Sequence, residues 1–306
     1  MSSLNLSVSP HIHGPNSTRN IMLDVIIALL PTTIAGVIIF GLRSLAVIAA
    51  CLIGAVLSEF LYNLAVKKSQ TIDDLSAVVT GLLLALNLPA NIPIWQAVVG
   101  SVFAIILVKC IFGGLGCNFV NPAITARVFM LVAFGSMTKA AFPDTTTSAT
   151  PLAELAEDKL SVSLLDLFLG KNGGAIGEVC ALALLIGGIY LVARKVITLH
   201  IPLAFIATVF VLSFLLDGFS LQNALAWTLS GGVFIGAFFM ATDYVTSPST
   251  PLGKIIFGVF AGLITVVIRF YGGYPEGVSF GILLANIINP YIENIGSKKV
   301  FGGAKA

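Results

Sequence analysis

The residues best suited to chemistry stand at the start of the one long polar loop in an otherwise apolar sequence. They are Asp144, Thr145, Thr146, Thr147, Ser148, Ala149, Thr150 and Pro151. A hydroxyl on an accessible loop is a place where a modifying enzyme can form a phosphoester, and these residue types favour an extended segment outside any helix. Asp144 could be recognised by that enzyme or help to place a metal beside the phosphate. The same composition is also typical of an ordinary loop.

The order of these residues is more informative than their composition. Asp144, the Thr147-Ser148 pair, Ala149 and Thr150 fit the pattern Asp-x-x-Ser/Thr-Gly/Ser-Ala-Thr. This pattern resembles the sites where a flavin transferase attaches FMN through its phosphate to a threonine. Ser148 stands where glycine is commoner in that motif. The resemblance predicts that Thr150 carries a covalent FMN.

The composition of the chain indicates a membrane protein. Of its 306 residues, 57% are hydrophobic and 10% are charged, and the mean hydropathy is +1.02. An ordinary soluble domain has roughly 25% charged residues. The net charge of +2 is too small to suggest a nucleic-acid partner. We therefore expect an all-α polytopic membrane protein.

Apolar runs of about 20 residues predict helices that cross the hydrocarbon core, which is roughly 30 Å thick. The predicted spans, one of them shorter and ending near Pro89, are 22–41, 45–66, 76–88, 94–113, 122–140, 177–193, 197–216, 224–241, 255–270 and 277–294. The expected fold therefore has about ten transmembrane helices.

Basic residues predict the orientation of these helices, because cytoplasmic ends carry more lysine and arginine. If the N-terminus is inside, the inner ends hold Arg19, Lys67, Lys68, Arg194, Lys195, Lys254, Lys298, Lys299 and Lys305. The outer ends hold Arg43, Lys139, Lys159, Lys171 and, marginally, Arg269. We expect both termini to be cytoplasmic and the Thr150 loop to be extracytoplasmic.

The loop divides the chain into two equal sets of predicted spans. The expected organisation is a cytoplasmic segment 1–21, a five-helix half 22–140, an extracytoplasmic loop 141–176, a second half 177–296 and a cytoplasmic tail 297–306. An odd number of spans in each half requires homologous halves to be inverted. Weak internal similarities support this, such as Phe119-Val-Asn-Pro122 and Ile287-Ile-Asn-Pro290. Acidic and leucine positions between Pro151 and Leu169 predict one or two short amphipathic helices in the loop.

A second polar stretch, Gly113 to Ala123, lies between two predicted spans on the inner side. Its glycines allow close approach of a flat ligand, and the amides of Asn118 and Asn121 can donate and accept hydrogen bonds. The imide edge of an isoalloxazine ring suits such amides. Alternatively, Asn121 caps the helix that starts at Pro122.

Several ionisable residues fall within or near the predicted spans, where charge is costly. Asp243, Glu59 and Glu178 are candidates for an ion path, although Asp243 could equally serve a ligand or a helix end. Asp24, Lys109 and Arg269 lie near span ends, and we expect them to extend to the headgroups. The four cysteines, which form no C-x-x-C pair, predict no metal or iron–sulfur site.

Several longer stretches occur in an order that resembles a known family. They are SPHIHGPNSTRNIMLDVIIALLP, SAVVTGLLLALNLP, GGLGCNFVNPA, DTTTSATPL, MATDYVTSP and GYPEGVSFGILLANIINP. Together they look like the D component (RnfD) of the Rnf complex, and they are similar to the B component (NqrB) of the sodium-pumping NADH:quinone oxidoreductase. The resemblance covers almost the whole chain, with Tyr244 where proline is usual.

The resemblance implies a ten-helix electron-transfer subunit of a bacterial ferredoxin:NAD oxidoreductase that exports Na⁺ or H⁺ across the cell membrane. It implies FMN at Thr150 and a non-covalent riboflavin or second flavin near Asn118 and Asn121. The partners would be the A, B, C, E and G components of the Rnf complex and a flavin transferase, with the substrate-oxidising sites in those other components. A solute channel or transporter, and a structural scaffold without a cofactor, are the alternatives.

Overall fold

The computed structural model describes residues 17–138, 141–142, 150–157, 162–170, 172–272 and 276–296. Regular structure in these ranges is helical, apart from one isolated antiparallel bridge between Ala141 and Gly174. The helices before the outer loop are α1 (Thr18–Phe40), α2 (Leu42–Val66), α3 (Ser76–Leu86), α4 (Ile94–Val102), which continues as a π-helix (Phe103–Cys110), and α5 (Pro122–Ala133).

Two short helices then form within the outer loop, as the acidic and leucine pattern predicted. They are α6 (Pro151–Ala156) and α7 (Leu164–Leu169). The remaining helices are α8 (Ala181–Ala193), α9 (His200–Leu216), α10 (Leu221–Leu229), α11 (Val233–Ile235), which continues as a π-helix (Gly236–Met240), α12 (Pro251–Tyr271) and α13 (Val278–Gly296).

The lengths and composition of these helices make the chain an all-α polytopic membrane protein. Within the described ranges, α1, α2 and α12 are each long and apolar enough to cross a membrane alone. The pair of α10 and Val233–Met240 would make a fourth span, bent by 62°. Shorter apolar helices accompany them, and α3, with 11 residues, spans only about 16 Å at 1.5 Å per residue. Such half-length helices can line a central site.

The apolar side chains divide between a buried core and an exposed outer surface. Phe205 and Phe257 are fully buried where α9 packs on α12, whereas Ile38 and Leu42 are about four-fifths exposed at 77% and 81%. This outward exposure is expected for side chains that contact lipid or partner subunits. A smaller cluster holds α6 and α7 in place, because Leu152, Leu155 and Leu167 pack against Trp227 of α10.

Three details of the predicted spans are wrong. The span 122–140 is helical only to Ala133 and continues as a 3₁₀ turn. The span 224–241 is broken at Ser230, where Gly231 adopts a left-handed φ of 70° that glycine tolerates. Third, Asn289-Pro290 within the span 277–294 predicts an interruption of the last helix, but α13 continues through Pro290. The inverted relationship of the two halves stays a prediction.

Candidate functional site

Two cavities lie at opposite ends of α3 and α5, and we name them inner and outer after the orientation that the basic residues predict. The inner cavity is lined by Ser76 at the start of α3 and Asn121 beside the start of α5. The outer cavity is lined by Asn87, which follows α3, and Arg127, within α5. Each comprises roughly 800 Å³ of space between atoms, part of it open to solvent, with about 780 Å³ for the inner and 840 Å³ for the outer cavity.

Thr150 lies on the wall of the outer cavity. It is half-buried, and its Oγ1 caps α6 by accepting a hydrogen bond from the backbone N–H of Ala153 at 3.2 Å. Thr150 itself has an extended backbone, as the sequence predicted, and the helix begins at Pro151, because proline is well suited to the first helical position. The other motif residues, Asp144, Thr147, Ser148 and Ala149, lie outside the described residues.

Arg127 is the cationic centre of the outer cavity among the described lining residues. Its side chain is 7% exposed. The guanidinium donates to Oδ1 of Asn87, while Nη2 contacts Glu276 and lies 3.5 Å from Oε2 of Glu178. Asn87 is itself fixed, since its Nδ2 donates to the carbonyl of Leu83 at 2.6 Å. The guanidinium is therefore held in one orientation at the wall of the cavity that Thr150 also lines.

The break between α10 and α11 lies beside these charges, and its glycines leave space in which the charged side chains meet. A Cβ added to Gly232 would lie 2.8 Å from Oε1 of Glu276, 3.3 Å from Oε2 of Glu178 and 3.6 Å from Nη1 of Arg127. A side chain at this position would therefore displace the carboxylates. The sequence analysis selected Glu178 as an ion-path candidate, but it did not group this residue with Asn87, Arg127, Gly232 and Glu276 as members of one site. The Gly231-Gly232 pair within an apolar run is the signal that could have indicated it.

The structure brings Asn118 and Asn121 together on the wall of the inner cavity, but gives them different roles. Oδ1 of Asn121 accepts from the backbone N–H groups of Ala123 at 3.0 Å and Ile124 at 3.3 Å, and its Nδ2 donates to the carbonyl of Met240 at 3.2 Å. Asn121 is therefore the cap of α5. Oδ1 of Asn118 is buried and finds no hydrogen-bond partner among the described residues.

The candidate ion-path residues fall into three separate places. Glu178 belongs to the outer cavity, and Asp243 lines the inner cavity, where it accepts from the hydroxyl of Thr246 at 3.1 Å. Glu59 lies behind the inner cavity, 2% exposed, and pairs with Lys109 at 2.9 Å. The described residues thus place these three carboxylates at separate positions rather than in one line of contacts.

The expectation that Asp24, Lys109 and Arg269 extend to the headgroups is wrong. Lys109 is 1% exposed, and its ammonium donates to Glu59 and to the hydroxyl of Ser76 at 2.6 Å. Arg269 is buried and donates to the carbonyls of Trp227 at 2.5 Å and Ser230 at 3.0 Å.

Asp24 is also buried and accepts from the hydroxyl of Tyr190 at 2.9 Å and from Arg194 at 3.2 Å. Each of the three charges thus has an internal partner nearby. These contacts provide an alternative to the headgroup hydration that snorkelling would supply.

Taken together, these features define a polytopic membrane protein with two polar-lined cavities between its helices. The chain belongs to the NQR2, RnfD, RnfE family, whose model matches residues 5–302. This confirms the family resemblance carried by the sequence motifs.

Characterised relatives cover essentially the whole chain, and each is the D component of an ion-translocating complex. The chain is 50% identical to that of the Na⁺-translocating ferredoxin:NAD⁺ oxidoreductase complex of Acetobacterium woodii, covering 100% of this chain and 98% of that protein. It is 39% identical to that of the proton-translocating ferredoxin:NAD⁺ oxidoreductase complex of Clostridium ljungdahlii, covering 97% and 96%. It is 34% identical to that of the ion-translocating oxidoreductase complex of Yersinia enterocolitica, covering 98% of both chains.

Proposed function

We propose that this chain is the membrane-embedded, flavin-carrying electron-transfer subunit of an Rnf-type complex, which couples electron flow between ferredoxin and NAD to translocation of Na⁺ or H⁺. The observation that carries the proposal is the placement of Thr150 on a cavity wall with Arg127, in a chain similar over its full length to RnfD-type proteins. The partners are the A, B, C, E and G components of the complex and a flavin transferase. The complex lies in the bacterial cell membrane, with both termini cytoplasmic and Thr150 extracytoplasmic.

The residues of the outer cavity fit a phosphate-linked flavin. Thr150 supplies the hydroxyl for the phosphoester, and it lies on the wall of a cavity that Arg127 also lines. Oδ1 of Asn172, also on the cavity wall, is buried without a hydrogen-bond partner among the described residues, so it is available to a ligand donor. Bound FMN would supply the electron-carrying chemistry, while the protein supplies position and electrostatics.

The protein side of the mechanism is anchoring and orientation. Thr150 would fix one end of the ligand at α6, and Leu152 and Leu155 hold α6 against Trp227. Arg127, aligned by Asn87, places a guanidinium at a fixed position on the cavity wall, where it offsets part of the negative charge of Glu178 and Glu276. The inner cavity fits a second, non-covalent flavin, because the unpaired amide oxygen of Asn118 can accept from the imide N–H of its ring.

The proposal is tested by ion uptake in vesicles that contain the whole complex. Thr150→Ala removes the attachment hydroxyl, so ferredoxin-driven Na⁺ or H⁺ uptake should fall to the background of vesicles lacking the complex. Thr150→Ser retains a hydroxyl and is the matched control, which should keep a substantial part of the uptake. Because the relatives' names specify different ions, uptake of both ions is measured.

The outcomes also separate the alternatives. If Thr150→Ala sustains wild-type electron transfer and coupled uptake while the complex remains assembled, the flavin-carrying role is wrong and a structural scaffold is the better description. Solute uptake that needs neither ferredoxin nor NAD would support a transporter instead.

A further inference from the structure

The charged groups that meet at the outer cavity include more carboxylates than guanidinium groups. One guanidinium, that of Arg127, contacts two carboxylates, Glu178 and Glu276. Glu178 has a second donor, the backbone N–H of Ala175 at 2.9 Å. Oε1 of Glu276 is buried and has no hydrogen-bond partner among the described residues. Glu276 is therefore the carboxylate of this group that is least satisfied as an anion.

The surroundings of Glu276 leave it able to change charge near neutral pH. It lies between α12 and α13 and faces Arg127 from α5, Glu178 from the segment before α8 and Arg269 from α12. Burial raises the pKa of Glu276 to about 7, an effect that Glu178 reinforces and that Arg127 and Arg269 oppose. Arg269 makes hydrogen bonds to the carbonyls of Trp227 and Ser230.

Glu276 also lies in the cavity on whose wall the predicted attachment residue stands. Thr150, Arg127, Glu178 and Glu276 all line the outer cavity. Negative charge added to a ligand in this cavity acts on Glu276 across the shared cavity, and a nearby negative charge favours the protonated form of a carboxyl group. By linkage, reduction of the ligand and protonation of Glu276 favour each other.

We propose that Glu276 binds one proton from the outer aqueous side when the group anchored at Thr150 gains an electron. This inference rests on the function proposed above and adds a charge-compensating residue to it. The electron comes from the donor within the complex, which is oxidised. The proton forms an O–H bond on the Glu276 carboxylate, no protein bond breaks, and the charge of the cavity returns to its starting value. Reoxidation releases the proton.

The test is a redox titration of flavin absorbance in the intact purified complex between pH 6 and pH 9. Below about pH 7 Glu276 is protonated in both redox states, and above it reduction draws in the proton. The wild-type midpoint potential should therefore fall more steeply above pH 7 than that of Glu276→Gln, which cannot bind this proton. We expect the affinity of Glu276 for the proton to rise at least tenfold on reduction.

Two variants control for charge and for folding. Asp166→Asn removes one charge from α7 in the same loop, away from the cavity-lining residues, and should keep the wild-type pH profile. Glu276→Asp keeps a carboxylate and should restore the steeper fall of the midpoint potential with pH.

If Glu276→Gln fails to accumulate, Glu178→Gln replaces it. Loss of the neighbouring negative charge should lower the pKa of Glu276, so the midpoint potential should begin its steeper fall at a lower pH.

The failure of this inference differs from the failure of the proposed function. A mass measurement on the Thr150 peptide of each variant precedes the titration. If wild-type Thr150 carries no FMN, the proposed function and this inference both fail. If FMN is present and Glu276→Gln has the wild-type pH profile, only the proton-binding role of Glu276 is wrong.

Discussion

Lys109 and Glu59 are opposite charges buried almost completely among membrane helices, 1% and 2% exposed. Desolvating such a pair is costly, and removing one partner leaves the other charge uncompensated. Ser76 and Thr71 add hydrogen bonds to the pair, at 2.6 Å to Lys109 and 2.7 Å to Glu59, while Oε2 of Glu59 has no partner among the described residues. The pair joins α2 to the π-helical continuation of α4 beside the inner cavity. Loss of this pair should therefore lower the free energy of unfolding of the protein.

We predict that Lys109→Met destabilises the protein by about 3–5 kcal/mol, because Glu59 is left buried without its cation. The double variant Lys109→Met, Glu59→Gln should recover a large part of this loss. The measurement is the free energy of unfolding in detergent micelles titrated with a denaturing detergent. Equal stability of the single variant and wild type would contradict the importance of the pair.

At the same scale, the sequence revealed the types of the site residues more readily than their partners. Thr150 and Asn118 could be selected because hydroxyl, amide and glycine residues interrupt an apolar pattern. The pairing of Lys109 with Glu59 could not, since 50 positions separate them and no local pattern encodes that contact. Glu276 lies in the stretch Gly272-Gly-Tyr-Pro-Glu-Gly277, whose composition predicts only a turn, and its burial depends on α5 and α12.

Among the helices, the break between α10 and α11 is the feature that shapes the outer cavity. Gly231 has φ of 70°, and a Cβ there would lie 2.7 Å from Leu152 and 3.0 Å from Nη2 of Arg269. The break therefore needs glycine both for its backbone conformation and for the approach of α6. The hydropathy pattern predicted one continuous span here, because the residues on both sides are apolar and hydropathy does not detect a 62° bend.

Gly231→Ala should cost at least about 1–2 kcal/mol, the penalty for a left-handed residue with a Cβ, and more if Arg269 must move. Gly135→Ala is the matched control, because no atom lies within 4 Å of the added Cβ and its φ is not left-handed. We expect that variant to stay within about 0.5 kcal/mol of wild type. Comparison of the two unfolding free energies checks the prediction. Equal losses would show that the bend does not depend on the conformation of Gly231.

Over the whole molecule, α3 and α5 connect an inner cavity to an outer one. Ser76 and Asn121 mark one end and Asn87 and Arg127 the other. The sequence predicted both polar regions and assigned them to opposite sides of the membrane from the distribution of basic residues. It could not show that the regions share two helices, because that depends on how α3 and α5 pack side by side.

The predicted orientation can be tested with the cysteine that the chain already presents near the inner cavity. Cys117 is exposed, whereas Cys51 and Cys110 are buried. In intact cells a membrane-impermeant maleimide should leave Cys117 unlabelled, and permeabilisation should expose it. A Leu165→Cys substitution on α7, where the native side chain is 71% exposed, should be labelled without permeabilisation. The reverse pattern would contradict the assignment of the Thr150 side as extracytoplasmic.

The proposed function depends on a covalent flavin at Thr150, and the mass of the peptide that contains Thr150 can establish or refute this modification. The chain is purified from cells that express an active flavin transferase, denatured and digested, and the peptide containing Thr150 is analysed by tandem mass spectrometry. We expect added mass equal to FMN less one water, localised to Thr150, and flavin fluorescence on the denatured protein band. An unmodified Thr150 peptide, with the transferase active on a second target in the same cells, would contradict it.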